Sequence, residues 1–333
     1  MDRRKSLKLL AGSLLGTTSL RLTAACPAVL PQADNSWKNL PTKGRKVLGA
    51  DKGTIVWMME DGQSNWHFPL RAEVHDIHQL AENRFLLPVA RNRVAEVDKT
   101  GKELWSYQAE KVPENKEHIE IHAVQRLKDG TTMVAEAGNR RLAIIDPNGK
   151  VAHTIRLSID NPNPHRDTRL VRQTPDGTFL VCHEGDGMVR EYDTKGNVVW
   201  SHKLDLAGRP RSGGHGPEGH GTEVYGAWRT PKGSTWIACG NGNRVIEVDN
   251  AGKVVWSLEQ KEIPGVVLAW VTMLHLLPDG NIIVGNCHAG PEQPQLIEVT
   301  RDKKLVWAYH NFRQFGNGLA AAQVFDLPEG TIR

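Results

Sequence analysis

The sequence predicts an all-β fold, a six-bladed β-propeller with N/C-terminal velcro closure. Three observations predict it. An Asp/Asn-Gly turn followed by an apolar strand and Trp recurs along the chain, with neighbouring copies 47 to 56 residues apart. A second turn, Leu/Thr-Pro-Asp-Gly or a close variant, recurs in step with the first. Tryptophan is also over-used for a chain with 6% aromatics, with 10 Trp against 6 Phe and 4 Tyr. Four short strands per repeat of about 45 residues is the period of a propeller blade.

The first turn is read at Asp51, Asp98, Asp146, Asp193, Asp249 and Asp302. Its glycine supplies the positive φ that a tight turn needs. The following Trp (Trp57, Trp105, Trp200, Trp256, Trp307, with His153 as a structural substitute) is placed on the outer strand, over the turn of a neighbouring blade. The second turn is read at Leu80-Ala-Glu-Asn83, Leu127 to Gly130, Thr174 to Gly177, Thr230 to Gly233, Leu277 to Gly280 and Leu327 to Gly330. The last copy holds a first strand only, and the copy around Arg45 to Met58 holds only outer strands. The two ends therefore complete one blade and remove a free sheet edge. The Gly/Pro/His-rich stretch from Leu204 to Gly221 is a long loop.

Residues 42–333 make up the propeller. Residues 1–25 read as a signal segment, with Arg3-Arg4-Lys5 ahead of an apolar run too short to span a bilayer comfortably. They resemble a twin-arginine export signal. Leu22-Thr23-Ala24-Ala25-Cys26 resembles a lipoprotein cleavage site, with lipid on Cys26; ordinary cleavage after Ala25 is the alternative. Residues 26–41 form a tether. The location expected is exported, periplasmic or membrane-tethered as a lipoprotein, with membrane contact only through that lipid. The formal charge of +4 resides in residues 1–25, where five basic groups face Asp2 alone. The neutral remainder argues against nucleic acid as partner. With Cys26 set aside, Cys182, Cys239 and Cys287 make no disulfide scaffold. No CxxC marks a zinc ribbon, and no GxGxxG in a strand-to-helix setting marks a nucleotide site.

The Asp98…Gly101-Lys102…Trp105 form resembles the tryptophan-docking motif of the quinoprotein dehydrogenases, and the repeat is also similar to arylsulfotransferase-type bacterial propellers. The resemblance spans residues 42–333 and implies the fold. Quinoprotein dehydrogenases have eight blades and an adjacent cysteine pair over the quinone. Neither is present here, so pyrroloquinoline quinone is not expected. Arylsulfotransferases of this architecture have six blades and use channel histidines, which His75-Asp76-Ile77 resembles; no sulfate-accepting His is assigned.

Registered on the closing turn, successive inner strands carry Glu73-x-His75, Glu120-x-His122, Asp167-x-Arg169 and Glu223-x-Tyr225. Period-two alternation puts both members of each pair on one side of the strand. Two residues deeper the same side is apolar, so the channel is a polar-mouthed funnel. Three chemistries suit it. A divalent metal would take His75, His122, His183, His220 and His288. An acid/base site would use Glu73, His75, Glu120 and His122, with Arg169 and Tyr225 stabilising a developing anion. An anion would be held by Arg91, Arg169 and Arg172, with Asp167 and Glu223 as further ligand-binding groups. The bland alternative is a structural one, since WD-type propellers lock blades with His-Asp networks at this place. The change from His to Arg to Tyr favours function. The expected activity is that of a lyase, hydrolase or group-transfer enzyme on an anionic carbohydrate or sulfate ester. A non-catalytic, lipid-tethered propeller that binds protein partners is the alternative.

Overall fold

The computed structural model describes residues 36–40, 44–51, 54–58, 64–70 and 73–333. The expected signal segment and Cys26 lie outside them. Within the expected tether, Ser36–Asn39 forms a short 3-10 turn that buries Trp37.

The described chain is an all-β propeller of antiparallel four-stranded sheets. Five blades, not six, are complete repeats of consecutive strands. Each runs outward from its inner strand: His78–Ala81, Glu120–Arg126, Val171–Gln173, Gly226–Arg229 and Val271–Leu276. The remaining four-stranded sheet is assembled from both ends of the chain, in the order Ala321–Val324, Val47–Asp51, Thr54–Met58, Ser64–Pro69. Val47 pairs with Val324 across this closure. The register of that copy departs from the expected one. The Asp51 turn joins the second and third strands of the sheet, and the outer strand is Ser64–Pro69, with Trp66 rather than Trp57. After the Leu327–Gly330 turn the chain pairs back through Ile332 onto Leu276. In the last complete blade Thr300, not Asp302, holds the turn position, through the bond from its N–H to the Lys304 carbonyl.

The tryptophans have a shared cause. Glu96, Glu191, Glu247 and Glu298 lie on third strands, each beside a bulge against the outer strand. An arginine from the adjoining sheet reaches each one: Arg126 to Glu96 at 3.0 Å, Arg229 to Glu191 at 2.6 Å, Arg301 to Glu247, and Arg45 to Glu298 at 2.5 Å. The same guanidinium lies over the outer-strand Trp of the blade it reaches, at 5.3 Å from Trp105, 4.9 Å from Trp200, 5.6 Å from Trp256 and 5.2 Å from Trp307. Each junction so built combines an ion pair with a cation–π contact. The indole N–H of Trp66 and of Trp256 also donates to a turn carbonyl of the next blade, Lys99 and Arg301. His153 makes the equivalent bond to the Thr194 carbonyl, at 2.7 Å.

At the channel, side chains bridge inner strands. The Val124 N–H donates to Asp76, Gln173 N–H to Gln125, Val324 N–H to His275 Nε2, and Gln79 N–H to Gln323.

Two predictions follow from these contacts. Glu96→Ala leaves Arg126 without its buried partner and is expected to cost about 3–5 kcal/mol, read as a lower urea midpoint at unchanged slope. The second concerns pH. Burial pushes His183 down to about 4 and His275 down to about 3. Both rings stay neutral in the fold and protonate near 6.5 once unfolded. Stability is therefore full above pH 6.5 and falls as pH drops toward 4 for His183 and 3 for His275. Each is expected to cost roughly 2 kcal/mol at pH 5 relative to pH 7, and His275→Gln should flatten the urea-midpoint profile.

Candidate functional site

The acid-x-polar positions do come together at one mouth of the channel. A cavity of about 360 Å³ is lined by Glu73, His75, Arg91, Glu120, Ile121, His122 and His165. A second, of about 290 Å³, shares Glu73, His75 and His165 and extends past Arg169 and Tyr225 to Trp270, His215 and His288. Both are of a size to hold a small ligand.

Glu120 is the hub. It opens the inner strand Glu120–Arg126, where a register shift between Ile121 and Ala123 takes His122 out of the regular ladder, so that it meets the same carboxylate as His118 just ahead of the strand. His118 Nε2 lies 2.8 Å from Oε1 of Glu120, and His122 Nε2 lies 2.9 Å from Oε2. His165, from the loop before the next inner strand, brings Nδ1 to 2.8 Å of the same Oε2. Burial works to raise the Glu120 carboxyl, but the hydrogen bonds from His122 and His165 outweigh it and hold the group well below the usual carboxylate range. His122 Nδ1 donates to the Thr168 carbonyl at 2.8 Å. His165 Nε2 accepts from Arg169 at 3.2 Å, which leaves its Nδ1 carrying the proton toward Glu120. The Arg169 guanidinium pairs with Glu184 and lies within 3.3 and 3.4 Å of the two His122 ring nitrogens.

His75 stands beside this hub, its ring edge-on to His122 with centroids 4.7 Å apart. Its Nδ1 meets the Tyr225 hydroxyl at 3.1 Å. Among the described residues no hydrogen-bond partner is found for Nε2, and the ring lines both cavities. Burial, then the positive charge of Arg169, hold His75 well below 6.5, so the ring is neutral at neutral pH. Burial raises the Tyr225 phenol well above 10 and keeps it protonated.

Other expected site residues serve elsewhere. Arg172 grips Asp76 in bidentate fashion, at 2.9 and 2.8 Å, deeper in the channel. Asp167 accepts the N–H groups of Gly138 and Asn163. Glu223 pairs with Arg166 and Arg211. The five histidines expected to converge do not share one point. His183 bonds the Asp167 carbonyl and the Tyr192 hydroxyl, His220 the Leu206 carbonyl, and His288 the Asn317 carbonyl. Arg91 remains exposed at the mouth, 4.0 Å from Glu120. The long loop folds over the second cavity and sets His215 against Trp270, with ring centroids 4.1 Å apart and the planes tilted by 36°. Trp270 holds a positive φ of 46°, uncommon for a bulky residue, while its N–H donates to Asn243.

The sequence reading missed His118 and His165. His118-x-Glu120-x-His122 was a visible signal, one strand step beyond the pair that was read. His165 sits in an irregular loop whose path no spacing rule gives.

Residues 30–175, less than half of the chain, match the family model described as outer membrane protein assembly factor BamB. That match falls on the BamB-type form of the quinoprotein-like repeat and gives no support to the arylsulfotransferase likeness. No curated protein matches the sequence. A protein of unknown function from Bacteroides caccae is similar in structure, at a TM-score of 0.70 and 20% identity, over 85% of this chain and 100% of its own. Virginiamycin B lyase from Staphylococcus aureus, solved with quinupristin, gives a TM-score of 0.52 at 12% identity, over 81% and 86% of the two chains. BBS1N in complex with ARL6DN gives 0.51 at 14% identity, over 80% and 77%. At these identities the likeness is one of fold.

Proposed function

We propose that the funnel binds an anionic small molecule and moves a proton on it, with β-elimination from an acidic sugar as the reaction that suits it best. The observation that carries this is His75, a neutral imidazole lining both cavities, whose Nδ1 is held by Tyr225 and whose Nε2 has no hydrogen-bond partner among the described residues. A positioned neutral His is the group needed to take a proton from carbon. In the step proposed, Nε2 of His75 accepts the proton on the carbon beside a substrate carboxylate. The C–H electron pair becomes a C=C bond. The C–O bond to the leaving group breaks, and the leaving oxygen takes a proton from water. Arg91, exposed at the mouth, pairs with the substrate anion. Glu73 completes the rim. Tyr225 orients the base, and Arg169, held by Glu184, supplies positive charge behind the histidines as the enolate develops. A lyase on a related fold agrees with this reading at the level of fold only.

An exported location suits a site for acidic sugars. It is supported by the Arg3-Arg4 segment and by the likeness to an outer membrane assembly factor. That likeness, and the exposed Val198, Val199, Val254 and Val255 on neighbouring outer strands, also favour a second reading in which the rim docks a protein.

The test is a screen of oligosaccharides of uronic acids for the absorbance of a new conjugated double bond. His75→Ala is expected to lower kcat by about 10²- to 10⁴-fold with the fold intact by circular dichroism, and Arg91→Ala to raise KM. Because the His75 pKa is depressed, kcat/KM should hold on the acid side to a pH well below 6.5. No turnover of any acidic sugar, or full activity in His75→Ala, would sink the proposal.

A further inference from the structure

Three imidazoles crowd onto the Glu120 carboxylate. His122 donates through Nδ1 to the Thr168 carbonyl, and its Nε2 lies 2.9 Å from Oε2 of Glu120. A ring nitrogen tied to a backbone carbonyl, with its opposite nitrogen aimed at a carboxylate, is how proteins prepare a histidine to ligate a metal. Two more imidazoles reach the same carboxylate, His118 on one oxygen and His165 on the other.

The ligand atoms of Glu120, His122 and His165 all lie within 4.8 Å of one another. The group opens on the 360 Å³ cavity, so water or substrate can complete the coordination shell. His165 is exposed at the mouth of the cavity with Nδ1 already on the carboxylate, and His118 is poised as a further ligand.

We propose that Glu120, His122 and His165, with His118 beside them, form a site for a divalent cation of borderline softness, Zn²⁺ being the ion this donor set suits best. Three imidazoles and one carboxylate match the preferences of Zn²⁺ rather than those of Ca²⁺ or Mg²⁺, which take oxygen ligands. A position open to the cavity is the mark of a catalytic rather than a structural zinc. The ion would sit next to His75 and Arg91, where it can bind the same substrate anion. The site stands whether or not His75 moves a proton.

The test is isothermal titration of the chelator-stripped protein with Zn²⁺, together with the absorption spectrum of Co²⁺ added in its place. One equivalent is expected to bind, with a visible d–d band for Co²⁺ bound to nitrogen ligands. Glu120→Gln and His165→Ala should each weaken binding by about 100-fold or more, while His310→Ala, outside the funnel, should not. His165 is exposed, so that variant is expected to keep the fold, which circular dichroism checks. Failure of the parent to bind Zn²⁺, or equal binding by His165→Ala and Glu120→Gln, would overturn the proposal and assign any bound ion to unrelated surface histidines. Calcium binding in preference to zinc would overturn the donor assignment.

Discussion

Every blade of a propeller turns a raw sheet edge toward the channel, and a buried edge leaves backbone N–H groups without partners. Much of this molecule is arranged to meet that demand. Asp76, Gln125, His275 and Gln323 each accept an N–H from the adjoining inner strand. Their chemistry and register differ, but each offers one acceptor across the gap between adjoining inner strands. Asp76 shows how such a role constrains its surroundings. Its carboxylate, fully buried, needs Arg172 and His78 around it, so the deep channel is already neutralised. Polar groups can be spared for a ligand only above that level, at the mouth.

The outer ends of the blades obey a second constraint. A buried Glu beside each of several bulges must be paired, and the arginine that pairs with it needs an apolar surface for its stem and ring-facing charge. The Trp of the outer strand supplies that surface. Inner bonds and outer staples thus hold adjoining sheets at both radii. Between them the apolar core can be built from small and medium side chains such as Val, Ile, Leu and Ala.

Much of this was legible in the sequence because it repeats. Turn glycines, alternating apolar residues and the recurring Trp are local features, so they fix the blades wherever the pattern is complete. The pattern misled where a copy was incomplete: the Asp51 turn has the right residues in the wrong place, between the second and third strands. In the site, Glu120 and His122 could be read because they sit at the start of a recognisable inner strand, although a register shift between Ile121 and Ala123 interrupts its alternation. The role of Arg172 could not, since phase says which side a residue faces and not how deep its partner lies. His165 was beyond reach for a different reason. Its position depends on a loop fixed by Asp167, which accepts the N–H of Asn163, and by Arg166 bonding Glu184 and Glu223.

The sheet shared by the two ends of the chain ties the ring to the order of synthesis. Val47 is made long before Val324, yet they are neighbours in one ladder. During translation each finished blade can settle against the one before it, but the strand Val47–Asp51 must wait with one edge unsatisfied. Closure is therefore a long-range event that comes late and is slow by virtue of its topology. Until then the nascent arc is open to pairing with another chain. The interval before the ring shuts, more than any weakness in the finished molecule, is where this protein is most exposed to misassembly.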